Sequence, residues 1–154
     1  MPADNVTPFR RPQPPKPVRP QQEGWGFKTH RGKAVLAHLL TIAAFAVNFF
    51  VNTPPWSLIG MAVGLAAFLL VLSNRGQAMP WANTHHEHAL RTLIIGYSIW
   101  ILASLLTLAG VGALVTIVIY IKLAVLLWAG VRALIGLVLA VMRRPIPNPR
   151  GWLV

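Results

Sequence analysis

The residues best suited to chemistry fall in one short run, Thr84-His85-His86-Glu87-His88. On a helix His85 and His88 lie three apart and share a face, the spacing at which imidazoles hold a transition metal. His38 could approach them from an earlier helix, but no second ligand cluster is evident. The same run carries a structural reading, which is preferred here. Thr84-x-x-Glu87 has the spacing of a capping box, in which the threonine hydroxyl meets the Glu87 N–H and the glutamate reaches back. Glu87 and Arg91 are also spaced as an i,i+4 ion pair. Thr84, Glu87 and Arg91 are therefore expected to cap a helix, and no metal or other cofactor is expected.

Lys122 is the second candidate. It interrupts a long apolar stretch, and an ammonium at bilayer depth is costly enough to be a functional hypothesis by default. It would line a polar path or bind an anionic head group, or else be accommodated along its aliphatic stem. His38 is a further polar group within an apolar segment. Asn48 and Asn52 lie four apart on one helical face, and Gly60 and Gly64 four apart on another. Amides bond across helices in lipid and glycines let backbones approach, so these four are expected to pack helices.

Enzyme signatures are missing: there is no G-x-S-x-G, H-E-x-x-H or phosphate-binding loop. The only acids are Asp4, Glu23 and Glu87. Two precede the first apolar segment, so a pair of intramembrane carboxylates is excluded, and with it aspartyl protease chemistry and carboxylate-coupled proton transport. The chain is not expected to be an enzyme. Cysteine is absent, which excludes disulfides and thiolate metal sites.

The elements that must position these residues follow from hydropathy. The 154 residues are 55% hydrophobic and 11% charged, against roughly 25% charged in a soluble domain. No charged residue occurs from Ala34 to Asn74, and Lys122 alone interrupts the run from Thr92 to Val131. Crossing a bilayer takes about 20 apolar residues. The pattern predicts an all-α, polytopic membrane helical bundle with four transmembrane helices over about 34–51, 56–73, 85–108 and 113–142. The fourth is too long for the bilayer, so it is expected to tilt or to bend between Gly130 and Gly136 and end along the surface. Residues 1–33 form a disordered, basic, proline-rich tail without the features of a cleaved signal. Residues 143–154 form a second, proline-containing tail.

The net charge of +11 would suggest nucleic acid in a soluble protein. Here the basic residues flank apolar segments, so nucleic acid is not expected. Seven Lys or Arg residues precede the first helix, and Arg132, Arg143, Arg144 and Arg150 lie at the end, whereas the turns near Pro54 and Gly110 have none. The positive-inside rule then places both termini in the cytoplasm. Trp25, Lys28, Arg31, Lys33, Trp81, Arg143, Arg144 and Trp152 are expected to anchor the bundle at the interface and meet anionic lipid. The spacing Arg11-x-x-Pro14-x-x-Pro17 also fits a polyproline docking segment.

The second half carries a further pattern. It comprises His86-x-x-x-x-Arg91-Thr92 leading to Gly96, then Trp128, then Arg132-x-x-x-Gly136-Leu137. It closes with Arg144-Pro145-Ile146-Pro147-Asn148-Pro149-x-x-Trp152-Leu153. On these residues the chain resembles a family of small, uncharacterised bacterial four-helix integral membrane proteins. That family is distantly similar to the channel subunit of the chloroplast inner-envelope protein translocon. The resemblance implies a small bundle in the bacterial inner membrane and supplies no catalytic residues; Lys122 stands where an aliphatic residue would be expected.

The expected function is that of a non-enzymatic accessory or scaffold protein. It would pack against anionic lipids and against another membrane protein or a second copy of itself, offering small-residue faces to partner helices. The alternative is a small channel, carrier or translocation component with Lys122 in an oligomeric polar path.

Overall fold

The computed structural model describes residues 26–51, 53, 55–107 and 112–152, with the backbone alone at residue 113. Trp25, Asn52, Leu153 and the polyproline stretch lie outside the described residues. Four helices follow in order: α1 (His30–Phe50), α2 (Ser57–Asn74), α3 (Pro80–Thr107) and α4 (Gly112–Val141). All four contain a stretch long and apolar enough to cross a membrane. The chain is a multi-pass, all-α helical bundle.

Two helices start earlier than hydropathy predicts, because their first turns are polar and are set by capping chemistry. α1 begins four residues before the apolar run. Thr29 caps it: Thr29 Oγ1 accepts from the Gly32 N–H at 2.9 Å and donates to the Gly26 carbonyl at 2.8 Å. A side chain at Gly32 would place its Cβ 2.0 Å from that carbonyl oxygen, so the closed turn requires glycine. α3 begins at Pro80 rather than His85. Proline suits the first helical position, having no N–H to leave unsatisfied and a φ already near the helical value. Thr84 is consequently inside the helix, and the expected capping box does not form. Its hydroxyl donates instead to the Trp81 carbonyl one turn back, at 2.7 Å.

α4 runs unbroken through Gly130 and Gly136, so no interruption of the helix occurs there. Its end is a Schellman turn. Arg143 takes a left-handed φ of 55°, the Arg144 N–H donates to the Leu139 carbonyl at 2.9 Å, and the Arg143 N–H donates to the Ala140 carbonyl at 3.1 Å. Pro145 follows and cannot continue a helix. At 1.5 Å per residue α3 and α4 are about 42 and 45 Å long, beyond a hydrocarbon thickness of about 30 Å. The excess falls at the basic end of the bundle, where α1 and α3 start and α4 stops.

α1 and α3 touch each other and both remaining helices, whereas α2 and α4 do not meet. The cross-section is therefore a diamond with α1 and α3 on its short diagonal. Its interior is built from small residues: Ala34, Ala37, Ala44, Ala67, Ala129, Ala133 and Ala140 are fully or almost fully buried. Leu58, Leu65 and Leu69 on α2 and Ile117, Leu127 and Leu134 on α4 point outward. This inversion of the soluble pattern is the one lipid permits, since tight packing rather than apolar burial brings membrane helices together.

Gly60 and Gly64 line the inner face of α2 and are filled from within the chain. A Cβ on Gly60 would lie 2.6 Å from the Asn48 side chain, and one on Gly64 1.9 Å from the Tyr97 hydroxyl. Asn48 Nδ2 donates to Ala44 O at 2.8 Å and to Tyr97 Oη at 3.0 Å, and Tyr97 Oη donates to Gly60 O at 3.2 Å. The small-residue face of α2 is thus consumed internally, and the surface left for partners is made of large aliphatic side chains.

Candidate functional site

At the basic end three helices bring buried polar groups to one point. α1 contributes His38, α3 contributes His85, His88 and Thr92, and α4 contributes Arg132. Gly136 makes room: a Cβ there would meet the His38 ring at 2.3 Å. His38 Nε2 lies 3.1 Å from His85 Nδ1, and His85 Nε2 lies 2.8 Å from the Arg144 carbonyl oxygen. A carbonyl only accepts, so His85 Nε2 carries a proton, and a neutral His85 would accept at Nδ1 from His38 Nε2–H. His88 is fixed in the same way. Its Nε2–H donates to Arg132 O at 3.3 Å and its Nδ1 accepts from the Arg132 guanidinium at 3.0 Å. His88 is therefore a neutral imidazole in a defined tautomer.

Arg132 is the centre of this cluster. It is 1% exposed, donates through Nε to Thr92 Oγ1 at 3.0 Å, reaches the Gly151 carbonyl, and lies over the Trp128 ring with its Cζ 5.4 Å from the centroid. The residues after α4 fold back over it as a strap. Arg144 O accepts from His85, the Ile146 N–H donates to Thr84 Oγ1 at 3.0 Å, and Trp152 O accepts from Trp128 Nε1 at 2.9 Å. Ile146, 2% exposed, is the strap's buried plug. The expected free tail is thus a packed element. Trp128 meets Trp152 with ring centroids 6.4 Å apart, and Arg91 donates to the Arg150 carbonyl at 3.4 Å.

The site residues read from the sequence divide accordingly. His85 and His88 share a buried cluster with His38, but their ring nitrogens are engaged in hydrogen bonds. Among the described residues no group of three His, Cys, Asp or Glu is arranged to hold a metal. Glu87 pairs with Arg91 at 3.3 Å and also with Arg75 at 2.9 Å, tying the α2–α3 connection to α3. Trp81 stands edge-on to His85, with ring centroids 5.9 Å apart, and is partly buried. Lys33 reaches across to Asn74 Oδ1 at 2.7 Å, and Arg31 donates to the Val141 carbonyl, which ties the start of α1 to the end of α4. Lys28, Arg143, Arg144 and Trp152 are exposed at this same end.

Sequence reasoning assigned Arg132 only to orientation and family pattern, and missed the role of Ile146. Signals for both were present. Trp128, Arg132 and Gly136 recur every four residues, which puts them on one helical face. Ile146 is a single aliphatic residue held between two prolines in an otherwise polar segment.

Two substitutions probe this arrangement. Thr84→Val keeps the shape and removes the acceptor for the Ile146 N–H, at a local cost of about 1 kcal/mol. Exchange of the Ile146 amide is expected to accelerate about fivefold, with helical content unchanged. Unravelling of the first turn of α3 would restore the capping role instead. Glu87→Gln is expected to change stability by no more than about 1 kcal/mol, since Arg75 and Arg91 are each nearly half exposed. Chemical unfolding at low and high salt checks this, with the smaller difference at high salt.

Lys122 lies elsewhere, two layers away. Phe45, Leu93, Val125 and Ala129 form an apolar layer beside the histidine cluster, and beyond it the Lys122 ammonium stands 5.3 Å from the centre of the Trp100 ring. It lines a groove of about 450 Å³ with Asn48, Ser57 and Ser104. No protein-family model, no curated protein and no solved structure matches this chain.

Proposed function

We propose that the protein is a non-enzymatic accessory or scaffold subunit of the bacterial cytoplasmic membrane, with both termini in the cytoplasm. It packs against anionic lipid and against a partner membrane protein or a second copy of itself. The observation that carries this reading is the division of the molecule into a covered polar cluster at its basic end and two opposite aliphatic faces. The polar groups of the histidine–arginine cluster are turned on one another and closed over by the strap. α2 and α4 stand at opposite corners, α2 presenting Leu, Ile and Met outward and α4 Leu, Ile and Val. The polar work of this end is structural, and the outer faces are left for neighbours.

The cytoplasmic assignment rests on charge. Lys28, Arg31, Lys33, Arg75, Arg91, Arg143, Arg144 and Arg150 gather at the end where α1 starts and α4 stops, while the turns at the other end contain no Lys or Arg. Reporter fusions at the two termini test it, and opposite locations would overturn it.

Affinity purification in mild detergent tests the scaffold role. Recovery of one defined membrane partner, or of a stable homo-oligomer, is the expected result. Solute flux in proteoliposomes that is lost in Lys122→Leu would replace it with the channel or carrier reading, in which an oligomer forms the path. That reading needs a continuous polar path, and the Phe45–Leu93–Val125 layer interrupts one within a single chain. Background flux is therefore expected both for the native protein and for Lys122→Leu.

A further inference from the structure

We propose that the groove at Lys122 binds the anionic head of an acyl lipid, with one hydrocarbon chain lying in the seam between α2 and α3. Lys122 is 8% exposed, and its ammonium has no carboxylate and no hydrogen-bond acceptor among the described residues; the Trp100 face is its only recorded neighbour of opposite polarity. A cation held largely out of water gains from a counter-charge, and a cation–π contact supplies only part of one. The ammonium and its three donors face into the groove rather than into packed side chains.

The rest of the groove suits an amphiphile. Ser57 lies at its rim with a hydroxyl that makes no hydrogen bond within the described residues, and Ser104 and Thr107 donate only to carbonyls of their own helix, from which they can turn. Ser57 opens α2 and Thr107 ends α3, so the mouth lies at the membrane surface away from the basic end. A head group enters there, and Trp100 and Lys122 await it about two to three turns deeper. The other wall is Met61, Ile101 and Leu105, all facing outward towards lipid. Met61 and Ile101 also line a second, almost wholly apolar furrow of about 350 Å³ that continues along α2 and α3 past Leu65 and Phe68. Polar groove and apolar furrow therefore join end to end, which is the shape of a head group followed by its chain. A small free anion would use the first and leave the second unfilled.

This inference rests on the membrane reading but is independent of the scaffold role. Native mass spectrometry of the detergent-purified full chain tests it with four probes: dioleoyl phosphatidylglycerol, dioleoyl phosphatidylcholine, oleate and inorganic phosphate. The native protein is expected to retain one phosphatidylglycerol or one oleate about tenfold better than phosphatidylcholine, whichever anion wins identifying the head group as phosphate or carboxylate. Lys122→Gln should abolish that preference, and Lys122→Arg, which keeps the charge, should restore it. Matching elution and helical content of the two variants separate loss of the site from loss of the fold. Equal retention of phosphatidylglycerol, oleate and phosphatidylcholine by the native protein would overturn the proposal. So would an undiminished preference in Lys122→Gln, or binding of inorganic phosphate with neither anionic lipid retained.

Discussion

Gly136→Ala is expected to destabilise the bundle by about 2–4 kcal/mol, although it adds one methyl group to a helix. The added Cβ would stand 2.3, 2.6 and 2.7 Å from Cε1, Nε2 and Nδ1 of His38, well inside van der Waals contact. His38 is fully buried and cannot swing aside without breaking its bond to His85, which in turn holds Arg144 O. Alanine does favour the helix over glycine, by up to about 1 kcal/mol. That gain is smaller than the cost of displacing a buried, hydrogen-bonded ring.

Gly130 is the control on the same helix, because a Cβ there meets nothing within 4 Å. Gly130→Ala should leave stability unchanged or raise it by up to about 1 kcal/mol. His38→Ala combined with Gly136→Ala should recover part of the loss, with a coupling energy above about 1 kcal/mol, since the pair is in direct contact. Unfolding titrations in mixed detergent compare the native chain, the three single variants and the double variant. Equal effects at Gly130 and Gly136, or strict additivity with His38→Ala, would show that the ring is not seated on the glycine.

Arg132→Met is the second large effect, and it should release the strap rather than unfold the bundle. Methionine retains much of the apolar stem and removes the guanidinium that bridges Thr92, His88 and the Gly151 carbonyl. Hydrogen bonds to a charged donor are worth about 1.5–3 kcal/mol each, although contacts in one network do not add fully. A net loss of roughly 2–4 kcal/mol would raise local opening by about 30- to 1,000-fold.

The opening should be visible at the Ile146 and Arg144 amides, which report on the strap and the turn after α4. Hydrogen exchange by mass spectrometry should show accelerated exchange over 144–152. Amides in the middle of α2, which does not touch α4, should be unchanged. Protection of the strap at native levels in Arg132→Met would mean that Ile146 and the Trp128–Trp152 contact hold it without the arginine.

The two substitutions separate what local composition specifies from what assembly specifies. Four membrane-length helices were legible because each is a sum over some twenty consecutive side chains, and no single misreading alters such a sum. The ends were less legible. Polar first turns carry little hydropathy signal, so α1 and α3 start four and five residues before their predicted boundaries. Glu87 and Arg91 pair as their spacing predicts, because i,i+4 neighbours meet on any helix. Thr84 does not cap, because Pro80 starts the helix a turn earlier.

What no local pattern contained was the meeting of distant residues. His38 and His85 lie 47 positions apart, and His85 and Arg144 59 apart. Only the crossing of α1 with α4 at Gly136 and the return of the strap bring them together. Helix formation is decided within a few turns of chain, so hydropathy and spacing report it. Which faces oppose one another depends on the fit of whole helices, and that fit made Gly60 and Gly64 interior, turned a tail into a lid, and left Lys122 facing an open groove.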